Sequence, residues 1–232
     1  MLRRNVLIGL SALAATTATA RDVAAIKADI LRIAENTAAM TGDGQAVPRA
    51  QLESLMHELL AVSPQKPLRQ RLPQLIGIWT TLLAPTDRPD QGRANPRIDT
   101  AHVIQVVSDK GYYYNIIPFI DSVHPEKSKL GLLRGEYGFS AVDPSVLAIH
   151  YTRFYGCQGH LDDPAPWRFA ALEEAGRLPD RVNVVPDLVL HLFLPDTTVL
   201  EVWSDGDTRL AYGTKDAASG KRSLYVMRKL AV

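Results

Sequence analysis

The sequence predicts a mainly β protein, an antiparallel β-barrel preceded by N-terminal helices. Two observations carry this. The hydrophobic pattern changes near Ile76 from helical spacing to alternation or short β-branched runs. Beyond that point the strand candidates follow one another through short turns and do not alternate with helices, which disfavours a doubly wound sheet and favours a closed antiparallel one.

The elements follow in order. In Asp22–Met40, Val23, Ile26, Ile30, Ile33 and Ala34 recur near helical period, and Thr41-Gly42-Asp43-Gly44 stops the run. A second amphipathic helix covers Pro48–Val62, with Leu52, Leu55, Met56, Leu59 and Leu60 on one stripe, ended by Pro64 and Pro67. Arg69–Leu75 adds a short helical turn. Gly77–Ala84 is the first strand. His102–Ser108 and Tyr112–Ile120 form a hairpin through Asp109-Lys110-Gly111. Tyr137–Val142 and Val146–Tyr155 form another through Asp143-Pro144-Ser145. Gly156–Pro186 interrupts the strands with one helix, expected to be capped by Asp163, to start at Pro164 and to end at Gly176. Strands resume at Leu188–Leu194, Thr198–Ser204, Thr208–Gly213 and Ser223–Lys229. The domain organisation is therefore a leader at 1–20, a helical segment at 21–75, and a barrel at 76–232 carrying an insertion at 156–187.

The leader reading rests on Arg3 and Arg4, the apolar stretch Val6–Ala15, and the small residues Ala18-Thr19-Ala20 before the first acid, Asp22. This is the pattern of a cleavable signal peptide, and its apolar part is too short for a membrane span of about twenty residues. Export to a bacterial periplasm is expected, and Arg3-Arg4-Asn5-Val6-Leu7 fits the twin-arginine route as well as the general one. The rest of the chain is nearly neutral: 26 basic side chains, of which Arg3 and Arg4 fall in the leader, face 25 acidic ones. It has no basic run of the kind that binds nucleic acid. One cysteine, Cys157, excludes an internal disulfide.

Two motifs stand out. Gly77-Ile78-Trp79 opens the first strand directly after the helices. Near the C-terminus, Asp207-Thr208-Arg209-Leu210 precedes Ser223-Leu224-Tyr225-Val226. In this order they resemble the plastid lipid-associated protein family, the fibrillins, which has bacterial members and is similar to lipocalins. The resemblance implies a lipocalin-like barrel and a ligand among lipids, prenylquinones or carotenoids at membrane surfaces. Tyr212 stands where the family usually has an arginine, and the turn Thr214–Arg222 is longer than is typical.

The expected function is thus non-catalytic binding of one small hydrophobic molecule inside the barrel or at its mouth, with no cofactor. Candidate ligand contacts are Trp79, Tyr114, Trp167, Phe193, Asp207 and Arg209. Trp79 can instead plug a barrel end. If Asp207 and Arg209 share a strand face, they can instead tether the barrel to the helices. Leu188, Leu190, Leu192, Val189 and Phe193 are expected to supply apolar lining. Trp167, Phe169 and Leu172 suggest a lid, or a peripheral contact with a membrane surface. Cys157 and His160 give too few ligands for a closed zinc site. No Gly-x-Ser-x-Gly elbow, phosphate-cradling loop or His-Glu-x-x-His is present. An enzyme acting on an apolar substrate, with His150, His191 or Asp207 as acid–base groups, and a ligand-free interaction module are the alternatives.

Overall fold

The computed structural model describes residues 21–38, 46–84, 97–99, 102–178, 183–185, 196–215 and 222–231. Three helices come first: α1 (Val23–Ala38), α2 (Ala46–Val62) and α3 (Leu68–Leu75). The Asp22 carboxylate caps α1 by accepting from the Ala25 amide at 2.6 Å. Pro48 sits in the first turn of α2, where a missing N–H breaks no helical hydrogen bond. Then come β1 (Gly77–Leu83), β2 (Arg97–Ile98), β3 (Ile104–Val107), β4 (Tyr112–Ile120), β5 (Lys129–Phe139), β6 (Val146–Gly159), α4 (Arg168–Glu174), β7 (Asn183–Val185), β8 (Thr197–Ser204), β9 (Thr208–Lys215) and β10 (Arg222–Lys229). Among the described residues no helix is long and apolar enough to cross a membrane.

All pairings are antiparallel. The ladder runs β1–β3–β4–β5–β6–β8–β9–β10, and β10 returns to β1, so eight strands close into an up-and-down barrel. The two short strands extend the wall, β2 along β4 and β7 along β6. The mainly β, barrel-after-helices expectation therefore holds.

Alternation sorts each strand into an inner and an outer face. One cluster draws on all eight strands: Trp79, Val107, Tyr113 and Ile117, Leu133 and Tyr137, Ile149, Tyr151 and Phe154, Val199, Ala211, Tyr225 and Met227. Only the inside of a closed barrel brings these together. On the outer wall, α1 and α2 cover β1 and β8–β10 through Ile26, Ile30, Leu52, Met56 and Leu59 against Leu83, Trp203, Leu210, Leu224 and Val226. Elsewhere on the outside, Phe169 and Ala170 of α4 pack on Tyr114, Ile116, Leu130, Leu132 and Tyr155. Leu68 and Leu75 of α3 meet Leu147, Tyr137 and Phe139 at one end of the barrel. Gly77 makes the passage from α3 into β1. Its φ is 140°, and a Cβ there would lie 2.4 Å from the Lys229 side chain.

Several boundaries differ from the sequence reading. β5 starts at Lys129, not Tyr137, because glycines at 131, 135 and 138 hide its alternation. At Gly131 a Cβ would lie 2.6 Å from the Phe119 ring, so the glycine makes room for an inward aromatic. β6 runs on to Gly159 and is joined by β7, so both ends of the expected 156–187 insertion belong to the wall. The helix inside it begins at Arg168, not Pro164. Asp163 caps no helix; its carboxylate accepts from the Ala165 amide and Arg168 in the preceding turn. Gly176, at φ 64°, does follow its end. The leader at 1–20 and the strand expected at Leu188–Leu194 lie outside the described residues.

Leu59 is fully buried between α2 and the barrel. Leu59→Ala is expected to lower unfolding stability by about 2–5 kcal/mol, read as a shift of the urea midpoint at unchanged slope.

Candidate functional site

The lower half of the interior, next to α3, is a polar floor. Arg209 on β9 and Glu201 on β8 are both completely buried and form an ion pair, with Arg209 Nε donating to Glu201 Oε2 at 3.0 Å and its Nη2 to Oε1. The third Arg209 nitrogen, Nη1, donates to Gln105 Oε1 at 3.1 Å, and Tyr113 Oη donates to the same oxygen at 2.6 Å. Trp79 is fully buried, with the Arg209 guanidinium and the Lys229 ammonium 5.9 and 5.2 Å from its ring centre. Its indole N–H donates to the Leu75 carbonyl at 2.7 Å, and Lys229 Nζ donates to the Gln74 carbonyl. Trp79 thus bolts α3 to the barrel end.

Burial opposes the Arg209 charge, but the Glu201 carboxylate and the Tyr113 hydroxyl outweigh it and hold the guanidinium well above the ordinary arginine range. Burial raises the Tyr113 phenol. Lys229 is lowered by burial.

Glu201 faces inward with Val199, two residues earlier on the same face of β8, and the bulge between Glu201 and Trp203 turns Trp203 out towards the helices. Arg71 of α3 fixes this bulge, donating to the Glu201 carbonyl and the Ser204 hydroxyl, each at 2.9 Å. Burial lowers the Arg71 pKa, and the Glu201 charge partly offsets this.

The upper half of the interior is different. Ile117, Phe154, Val199 and Tyr225 belong to the inner cluster yet are only partly buried. Phe119, two residues along the same face of β4 from Ile117, stands edge-to-face with Phe154, their ring centres 5.8 Å apart. The inner face therefore grades from a closed polar floor to an apolar, partly exposed mouth. Asn115 lies between them and donates to Tyr151 Oη at 3.2 Å.

The six candidate contacts do not converge. Trp79 and Arg209 meet in the floor. Tyr114 points outward and is buried under α4, where its hydroxyl donates to Glu173 Oε2 at 2.7 Å; Tyr113 takes the inner face. Burial, then the bonded Glu173 carboxylate, raises the Tyr114 pKa. Trp167 packs with the same outer cluster, so α4 uses its apolar side chains to hold the wall. Asp207 and Arg209 do not share a face, because Asp207 lies in the turn before β9. Asp207 accepts from Lys27 of α1 at 2.7 Å, making the tether between barrel and helices, while Arg209 turns inward. Phe193, like His191 and the other lining residues of 188–192, lies outside the described residues.

Sequence reasoning missed Glu201, Gln105, Asn115 and Arg71. Glu201 had a signal: it is the one acid within the apolar run Thr198–Ser204, and a charge there needs a partner. The His–carboxylate contacts His150–Asp196 and His102–Asp99 are on the exposed surface, not in the barrel. No protein-family model matches the chain, and no curated protein matches it.

Two outcomes test this geometry. Arg209→Met alone should cost about 3–5 kcal/mol by stranding the Glu201 charge, and adding Glu201→Leu should recover most of that loss in a urea double-mutant cycle. The second concerns acid. Hydrogen bonds from Lys27 and Thr208 hold the Asp207 carboxyl at about 2, below its ordinary 3.8. A lowered folded-state pKa gives stability that is present above the ordinary value and lost as pH falls towards the folded one. Asp207→Asn should therefore flatten the stability–pH curve between about pH 4 and about pH 2, followed by thermal melts.

Proposed function

We propose that this protein is an exported, non-catalytic binder of one small hydrophobic molecule, of the lipid, isoprenoid quinone or carotenoid class, held at the open mouth of the barrel. The observation that carries the reading is the partly exposed apolar inner face formed by Ile117, Phe119, Phe154, Val199 and Tyr225 above a sealed floor. An eight-stranded barrel has room for its own side chains or for one small ligand; here the floor takes the first option and the mouth offers the second. The fibrillin resemblance of Gly77, Trp79, Asp207 and Arg209 supports the ligand class, and the leader at 1–20 supports a periplasmic location reached by the general or the twin-arginine route. A peripheral membrane contact fits the exposed Val123 and Leu161, which stand on the turns that follow β4 and β6, beside Lys127 and Lys129. The fully buried floor favours a second reading, a ligand-free interaction module.

Nile red should bind saturably, with little dependence on salt. Phe154→Asp should weaken it at least about tenfold, since a buried aromatic contributes about 1.5–3 kcal/mol, while circular dichroism stays unchanged. Absence of saturable binding by the wild-type protein would leave the interaction module. N-terminal sequencing from cell fractions tests export: an intact residue 1–20 segment on cytosolic protein would end that part of the reading.

A further inference from the structure

The outer wall carries a groove with a cation at one end. Leu200 of β8 points away from the inward Val199 and Glu201, and Tyr212 of β9 packs with the outer cluster. With Arg222 of β10 and Glu53 of α2 they line a hollow of about 440 Å³. A second hollow, of about 490 Å³, begins at the same Leu200. It runs beside Val202, between Pro67 and Leu68 at the start of α3 and Pro144 in the turn before β6. Since β10, β9, β8 and β6 are consecutive in the wall, the two hollows together cross three strand spacings, about 14 Å.

The cation at the β10 end is unmet. Among the described residues no carboxylate pairs with Arg222, and its Nη1 is buried without an acceptor, a state that carries a desolvation penalty. Glu53 shares the hollow without pairing with it, and Asp143 is bonded instead to Ser145. Burial, then the Glu53 charge, raises the Tyr212 phenol, which keeps its hydroxyl a donor. The other guanidinium in the groove is committed: Arg71 donates to the Lys66 and Glu201 carbonyls and to the Ser204 hydroxyl. A negative group therefore belongs at Arg222, where a guanidinium fork matches a planar carboxylate.

The rest of the groove suits hydrocarbon. Leu200, Val202, Leu68, Pro67 and Pro144 present apolar side chains. The β8 backbone beside them is taken, the Glu201 N–H by the Ser145 carbonyl, the Glu201 carbonyl by Arg71 and the Ser204 N–H by Gln65. An extended peptide would find no strand edge to pair with, whereas an acyl chain needs none. We infer that this outer groove, separate from the mouth of the barrel, binds a linear fatty carboxylate of medium chain length, with the carboxylate on Arg222 and Tyr212 and the chain along Leu200 and Val202.

Calorimetric titration of the full chain with decanoate and decanol tests this. Decanoate should bind about tenfold more tightly than decanol, and its affinity should fall as salt is added. Arg222→Leu should erase that preference and leave decanol binding in place. Glu53→Gln, at an exposed helix position, should tighten decanoate binding and guards against a folding defect in the first variant. Phe154→Asp, at the mouth, should leave decanoate binding unchanged. Equal affinity for the two ligands, a preference that survives Arg222→Leu, or loss of decanoate binding in Phe154→Asp would overturn the inference. So would tighter binding of N-acetyl-Leu-Leu-Leu than of decanoate, which would assign the groove to a peptide end. Nile red reports on the mouth and decanoate on the outer wall, so the two readings fail separately.

Discussion

Glu201 and Arg209 hold opposite charges at the centre of a water-excluding barrel, and much of the structure is arranged so that they can. Two ions in such a place are tolerated only when their remaining hydrogen-bonding capacity is met. Gln105 of β3 and Tyr113 of β4 meet that of Arg209 from across the barrel, so four strands from opposite sides of the ring join in one network. Glu201 falls on the inner face of β8 with Val199, and Arg71 of α3 grips the bulge that follows it. Such a network is cooperative, since each bond fixes the geometry of the next. It specifies which residues of β8 and β9 face each other more strictly than apolar packing would, because a slip of one residue would send the inward charge to the outer wall.

The helices complete what the network begins. Through Trp79, α3 closes the end of the barrel nearest the charges, its backbone carbonyls receiving the indole N–H and the Lys229 ammonium. Above Leu68–Leu75 the aromatic plug and the ion pair shield each other from water, Trp79 by its area and Arg209 by stacking near its face. On the side wall, α1 and α2 bury an apolar stripe that would otherwise be an exposed hydrophobic surface. Lys27 adds contacts to Asp205 and Asp207 at 2.5 and 2.7 Å. These partly exposed ion pairs place the helix more than they stabilise it.

The parts of this fold that were legible in the sequence are those in which local pattern and tertiary role agree. The three N-terminal helices, the hairpin at Asp109–Gly111 and the short turn at Asp205–Gly206 announce themselves through spacing and turn residues. So does the opposition of Tyr113 to Tyr112 and Tyr114, which alternation alone dictates. What was not legible depends on partners distant in sequence. Lys129–Gly135 lacks β alternation because Gly131 serves the Phe119 and Phe154 side chains and Gly135 those of Ile149 and Tyr151. Arg209 read as a candidate contact, but its partner eight residues earlier, inward with Val199, lies across the turn and a bulge that turns Trp203 outward, and no period of two can foresee a bulge. Asp207 fell on the wrong face because strand periodicity was extended one residue beyond the strand, into the turn where it does not apply.

The two ends of the barrel are unequal. At the α3 end, polar side chains and a tryptophan fill the interior, and the helix closes it. On the outside, α1 and α2 cover one part of the wall and α4 another, held by Glu173, which accepts from Tyr114, Tyr155 and Arg134. At the other end Ile117, Phe119 and Phe154 stay partly exposed. Gly131 lets the Phe119 and Phe154 rings approach the β5 backbone, so the aromatics lie against the wall there instead of crossing the bore. A barrel meant only to be a packed core gains nothing from such flattening, since large side chains could interdigitate across the middle, as they do in the floor. At that end the aromatic rings instead line a partly exposed face of the interior.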